Sequence, residues 1–219
     1  MQTFAEKLPA HETVYRAIRD RILYGDLAPG QMVTIQGLVA ELGVSMTPVR
    51  EAIRRLTAAG ALEFQGNRRV SVPIMGERRF AELAFARLSI EPQLAEMASK
   101  NMLHGNLDAM KIEDLALDQA ISAGDAQGYM RQNYRFHFAL YSGANSRVLM
   151  PIAETLWLRF GPVSRIICGK YGTANIDDKH EEAMKALAER NHHGVARAIH
   201  SDIAQGLEIV RSEFGWAPI

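Results

Sequence analysis

This 219-residue chain has one cysteine, two tryptophans and no net charge, 25 Lys and Arg balancing 25 Asp and Glu. Each shortage excludes something. A lone cysteine, Cys168, cannot form an internal disulfide framework and fits a reducing compartment, so the cytoplasm is the expected location. It lies in the apolar stretch RIICG and reads as a packed thiol rather than a nucleophile. Nowhere do about 18 apolar residues run together, which argues against a membrane span. The N-terminal MQTFAEKLPAHET has no basic patch ahead of an apolar core, so it does not read as a secretory signal. Internal repeats and low-complexity tracts are also missing.

What the chain does have is 47% apolar residues, enough to bury a real core. Its length allows one large domain or two small ones. Val14, Ile18, Ile22 and Leu23 recur at helical spacing over 11–25, and Gly25 with APG at 28–30 closes that segment. A short second helix is expected over 35–42, stopped by Gly43. A third is expected to begin at Thr47-Pro48, with Thr47 as N-cap, burying Val49, Ala52, Ile53 and Leu56. ALEFQGNRRVSVP then reads as two short strands around a turn at 65–67. Three helices followed by a hairpin give the order of a winged helix-turn-helix. PIMGERR over 73–79 reads as a linker. Beyond it the pattern is wholly helical, in segments at 77–103, 106–123, 126–142, 146–169, 176–191 and 194–214. The expected fold is therefore mainly α, a winged domain over 1–74 and an all-helical, six-helix bundle over 75–219.

The third helix poses the first functional question. Arg50, Arg54 and Arg55 lie off its apolar stripe and are expected to face outward. Residues 45–72 hold five Lys and Arg against two Asp and Glu, a weak basic footprint. A solvated basic face is the plain reading. The helix-turn-helix ahead of that face, and a hairpin carrying Arg68 and Arg69 behind it, favour a recognition helix in the major groove. TVYRAIRDRILYGDLAPGQMV and LVAELGVSMTPVREAIRRLTAAGALE closely resemble the GntR superfamily of bacterial transcription regulators. The resemblance covers nearly all of 11–73. It implies DNA contacts from the second helix, the turn, the third helix and the wing; the matching positions here are Ser45, Thr47, Arg50 and Gly66, and Gln36, Met46, Arg54 and Arg68 complete the candidate set. Two positions depart from the family. Met46 stands where arginine is usual, and Gln36 where a charged reader is usual. A thioether cannot bond guanine bidentately, so one base-reading contact is either lost or replaced by an apolar contact to a thymine methyl.

In the bundle, ionisable residues fall inside apolar stripes and need a reason to be there. Arg87 and Glu91 interrupt the stripe of Phe80, Leu83, Ala84, Leu88, Leu94, Ala95 and Ala98. They are either an internal ion pair or an arginine prepared for an anionic ligand. Asn133 and His137 share a face four residues apart. His180 aligns with Ala183, Met184 and Leu187. At 100° per residue Asp202 falls within the arc of Val195, Ile199, Gly206 and Val210, with His200 at its edge. Each alone fits a hydrogen-bonded core residue. Together they offer two imidazoles and one or two oxygens, a set suited to a divalent metal such as zinc or nickel.

AFARLSIEPQLAEMA, NYRFHFALYSGANSRVL and KHEEAMKALAERN resemble the FCD ligand-binding domain of FadR-type GntR regulators, in its shorter VanR-like branch. The family's metal motif implies ligands at Asn133, His137, His180 and Asp202. His137 and His180 match it, while Asn133 replaces an aspartate and Asp202 a histidine. The resemblance further implies a small organic acid beside the metal, for which Arg87 is the candidate partner. The expectation is a cytoplasmic, homodimeric, metabolite-responsive regulator of double-stranded operator DNA, not an enzyme. Its rivals are a metal-dependent helical-bundle enzyme and an effector-independent DNA-binding protein. Against the enzyme, HEEAM lacks the second histidine of a zincin motif and the Glu189–His192 ExxH is unpaired.

Overall fold

Helix α1 forms because its apolar residues recur every three or four positions. In the computed structural model, which describes residues 9–66, 69–101, 104–171 and 179–217, α1 (Ala10–Leu23) buries Val14, Ile18, Ile22 and Leu23. Strand β1 (Met32–Val33) follows, then α2 (Ile35–Leu42). Thr34 caps α2, its hydroxyl accepting from the Gly37 N–H at 3.0 Å. Gly43 ends α2 at φ 63°, where a Cβ would be strained, and so turns the chain into the next helix. α3 (Met46–Ala58) buries the stripe Val49, Ala52, Ile53 and Leu56 against α1.

The start of α3 corrects the expectation. Ser45 is the N-cap, without a side-chain cap bond, and Thr47 lies inside the helix. Pro48 is thus the third helical residue, still among the first four whose N–H groups need no intrahelical acceptor. Strands β2 (Glu63–Gln65) and β3 (Arg69–Ser71) form the expected hairpin. β1 joins them in an antiparallel sheet of order β1-β3-β2, pairing Met32 with Ser71 and Val33 with Val70. Two residues are too few to show a periodicity, so β1 is not legible from its residues alone.

Six helices follow among the described residues, the number expected: α4 (Glu77–Asn101), α5 (His104–Ala123), α6 (Ala126–Ser142), α7 (Leu149–Tyr171), α8 (Lys179–Ala188) and α9 (His192–Phe214). HGN over 104–106, expected as a break, is the first turn of α5. α4 packs on α9, α5 on α6 and α8 on α9. Arg87 and Glu91 are buried within the α4 stripe. None of the described helices is long and apolar enough to cross a membrane. The Cys168 side chain and Arg68 lie outside what is described.

The linker is not the only connection between the winged unit and the bundle. Met130, Trp157 and Leu158 belong to the same apolar cluster as Val14, Ile18 and Leu56. Gly161 on α7 lies so close to the Leu23 carbonyl that a Cβ there would collide with it. Arg165 bonds Asp26 at 2.9 Å, Gln127 bonds Asp26 at 2.7 Å, and Arg159 bonds the Ala59 carbonyl at 2.8 Å. Tyr24, Tyr134 and Trp157 meet edge to face, with centroids 6.1 and 5.6 Å apart.

Candidate DNA-reading face and metal centre

Gln36 on α2, then Ser45, Met46, Thr47, Arg50 and Arg54 at the start of α3, are all exposed, as is Gly66 after β2. The hydroxyl of Ser45 has no capping task, and the free N–H groups at the start of α3 present the positive helix end nearby. Met46 is 48% exposed and its sulfur lies 3.9 Å from an Arg50 guanidinium nitrogen. Arg50 has no carboxylate partner among the described residues. Arg54 forks onto Glu51 at 2.7 and 3.0 Å.

Arg55 departs from the sequence reading. It is half-buried, bonds Glu12 at 3.0 Å and lies 3.6 Å over the Tyr15 ring. This arginine ties α3 to α1 rather than facing outward. The Arg16 bond to Glu12, with that of Arg55, holds the Glu12 carboxyl below its ordinary value.

Inside the bundle, three helices bring one donor each to a common point. His137 on α6 is 1% exposed and His180 on α8 is 6% exposed. Asp202 on α9 reaches His137 Nε2 with Oδ2 at 3.0 Å and His180 Nε2 with Oδ1 at 3.8 Å. The donor atoms of the three residues all lie within 4.8 Å of one another. Asn133 stands one helical turn before His137, partly buried, its side chain without a hydrogen bond among the described residues. His200 is exposed and takes no part.

The outer partners of the histidines decide where their lone pairs point. Trp157 donates to Glu91 at 2.7 Å and the Tyr141 hydroxyl donates to the same carboxylate at 2.8 Å. Having given its proton to Glu91, the Tyr141 oxygen accepts from His137 Nδ1 at 3.2 Å. On the other ring, His180 Nδ1 donates to Asp114 on α5 at 2.9 Å. Both Nε2 atoms are left to face Asp202, an arrangement complete only with a proton or a cation among them. Burial pushes the His137 imidazole below its ordinary value, against the opposing pull of Asp202. Burial would raise the Asp202 carboxyl, but His137, His180 and Arg87 hold it down. Neutral imidazole and ionised carboxylate are the forms that ligate a metal. Two imidazole nitrogens with a carboxylate at these separations fit zinc or nickel, and the Asn133 oxygen is a weaker neutral donor.

Arg87 lies one layer out. It is 4% exposed, bonds Glu91 at 2.6 and 3.3 Å, and sits between the Trp157 and Phe160 rings at 4.6 and 4.5 Å. The internal ion pair, one of the two readings of this pair, is present. The sequence reading missed Asp114 and the indole of Trp157. Asp114 stands four residues after buried Met110 and three before buried Leu117, an acid on the apolar face of its own helix, and that spacing was a usable signal.

A winged helix-turn-helix docked on an all-helical ligand-binding bundle is the build of a DNA-binding transcription regulator. Residues 10–72 match the family of bacterial regulatory proteins called gntR, and residues 82–205 match the FCD domain. The chain is 26% identical to the HTH-type transcriptional regulator McbR of Escherichia coli over 200 residues, 90% of each chain. It is 28% identical over 179 residues to a probable D-xylose utilization operon transcriptional repressor of Paenarthrobacter nicotinovorans, covering 80% of this chain and 79% of that one. The solved structure of Escherichia coli McbR/YncC superposes with a TM-score of 0.88 at 25% identity, over 94% of this chain and 99% of that one. The protein belongs to the GntR family of bacterial transcription regulators, with the FCD effector-binding domain of the FadR type. This family and these relatives are regulators of transcription, not enzymes.

Proposed function

We propose that this regulator binds operator DNA as a homodimer and releases or grips it in response to a small organic acid held beside a divalent metal. The observation that carries the reading is the convergence of His137, His180 and Asp202 inside the bundle. These three, with Asn133 as the weak fourth donor, would hold zinc or nickel. Such an ion supplies a Lewis-acidic partner for a carboxylate. Asp202 is 24% exposed at its side chain, which leaves solvent access to the cluster. Arg87 is the cation for the far end of the acid, which has to share or displace the Glu91 bond.

On the DNA side, Arg50 reads a base or phosphate at the start of α3. Gln36, Ser45, Met46, Thr47 and Arg54 flank it, with Gly66 and Arg68 at the wing. The division falls at 74/75 and the working compartment is the cytoplasm. Exposed Phe85 on α4, with Val148 in the turn ahead of the adjoining α7 and Ile152 on α7 itself, supports a second copy as partner of that surface. The test is metal analysis of the purified protein followed by operator-binding titrations with and without small organic acids. Absence of zinc and nickel even after their addition, with DNA binding indifferent to every acid, overturns the reading.

A further inference from the structure

We infer that Asp114, on α5, is the residue that aims His180 at the metal and supplies a second negative charge to the site. The inference rests on the metal reading above and deepens it. Asp114 Oδ1 lies 2.9 Å from His180 Nδ1, and its side chain is 15% exposed. A carboxylate can only accept, so the Nδ1 proton is fixed on the Asp114 side and the Nε2 lone pair is fixed on the Asp202 side. The ring is held from its face as well. Phe136 stacks on it at 3.7 Å between centroids and 11° between planes. An edge contact and a face contact together leave the imidazole no free rotation.

The two histidines are held unequally, and that difference gives Asp114 its weight. His137 donates outward to the neutral hydroxyl of Tyr141, whose supporting Glu91 is already matched by Arg87. His180 donates directly to a carboxylate. Among the proposed ligands only Asp202 is charged, because Asn133 brings an amide. One formal negative charge against a divalent ion is a poor balance in a buried site. Asp114 adds a second at one bond's remove and makes the His180 nitrogen a stronger donor. α5 packs against α8, so the carboxylate is carried by a helix that contributes no ligand of its own.

The experiment uses the full-length protein and zinc alone. Zinc affinity is measured by competition with a chelator for wild type, Asp114→Asn, Asp114→Ala and Asp114→Glu. Nitrogen-detected NMR of the metal-free protein reads the His180 tautomer. Asp114→Asn and Asp114→Ala are expected to lose about 10–100-fold in zinc affinity, and Asp114→Glu to recover part of it. The His180 proton should sit on Nδ1 in wild type and redistribute in Asp114→Ala. Wild type that binds no zinc overturns the metal reading and this inference with it. Wild type and variants that bind zinc alike overturn the inference alone, as does a wild-type His180 proton on Nε2. Should Asp114→Ala fail to fold, the isosteric Asp114→Asn decides the matter.

Discussion

Trp157 donates its indole N–H to Glu91 across 2.7 Å while its ring packs in the same cluster as Val14 and Leu56 of the winged unit. One side chain therefore belongs to the ligand-site network and to the core under the recognition helix. An effector can move DNA affinity only through contacts that differ between two arrangements, and Trp157 is shared by the Glu91 network and the core of the winged unit. Trp157→Phe keeps most of the packing but removes a bond to an ionised acceptor, costing about 1.5–3 kcal/mol of stability. Operator titrations with and without effector should show a coupling of about 1–3 kcal/mol in wild type and little in the variant. Undiminished coupling in Trp157→Phe would count against this route.

Arg50→Ala should weaken operator binding by about 1–3 kcal/mol, with relaxed specificity at one base pair, if the guanidinium reads guanine. If it contacts phosphate, the loss is uniform across sequences and the salt slope falls by about one. Arg55→Ala should act differently. Its bonds run to Glu12 and Tyr15, so it should lower the melting temperature and leave the salt slope alone.

His137→Ala should abolish metal binding, since it removes the most buried of the three donors. Metal content measured on wild type and variant, matched for folding by circular dichroism, checks this. Equal metal in both would move the site elsewhere.

A thermal-shift screen of small organic acids should find a stabiliser, and the same compound should alter operator affinity about 5–150-fold. Arg87 is bound to Glu91 on a buried face, so Arg87→Ala would leave the carboxylate without its counter-charge and destabilise the bundle by about 3–5 kcal/mol. The double variant Arg87→Met with Glu91→Gln avoids that. It should lose the effector response and keep effector-free DNA binding.

The chelator-treated protein should lose stability as pH falls. His137 has its folded value pushed below 6.5 by burial, so below that pH the unfolded chain binds a proton that the folded one refuses. The stabilisation is complete above 6.5 and drains away towards the lower folded value. Thermal melts at pH 8, 6.5 and 5 should show it, and His137→Gln should flatten the slope.

How much of this was legible in the sequence depends on where each partner lies. α2 could be read closely because Gly43 stops it and its apolar residues are short-range. His137, His180 and Asp202 could be read because inward stripes on single helices reveal a polar intruder by periodicity alone. Arg55 could not, since Glu12 and Tyr15 are some forty residues away and only the α1–α3 packing brings them near. The start of α3 was missed because proline is most familiar at the first helical position and is equally free of cost at the third. Asp114 was missed because its helix was read for its ends and not for its buried face.

The close approach of Gly161 to the Leu23 carbonyl is a point where the two units meet without an intervening side chain. Backbone against backbone leaves no side chain to rearrange, so the contact acts as a fulcrum. A slide of the winged unit along α7 would break that contact, whereas a roll about it would not. In a roll, displacement grows with distance from the fulcrum. A tilt at Trp157 would in that case be passed to the exposed start of α3 as a rotation rather than a shift.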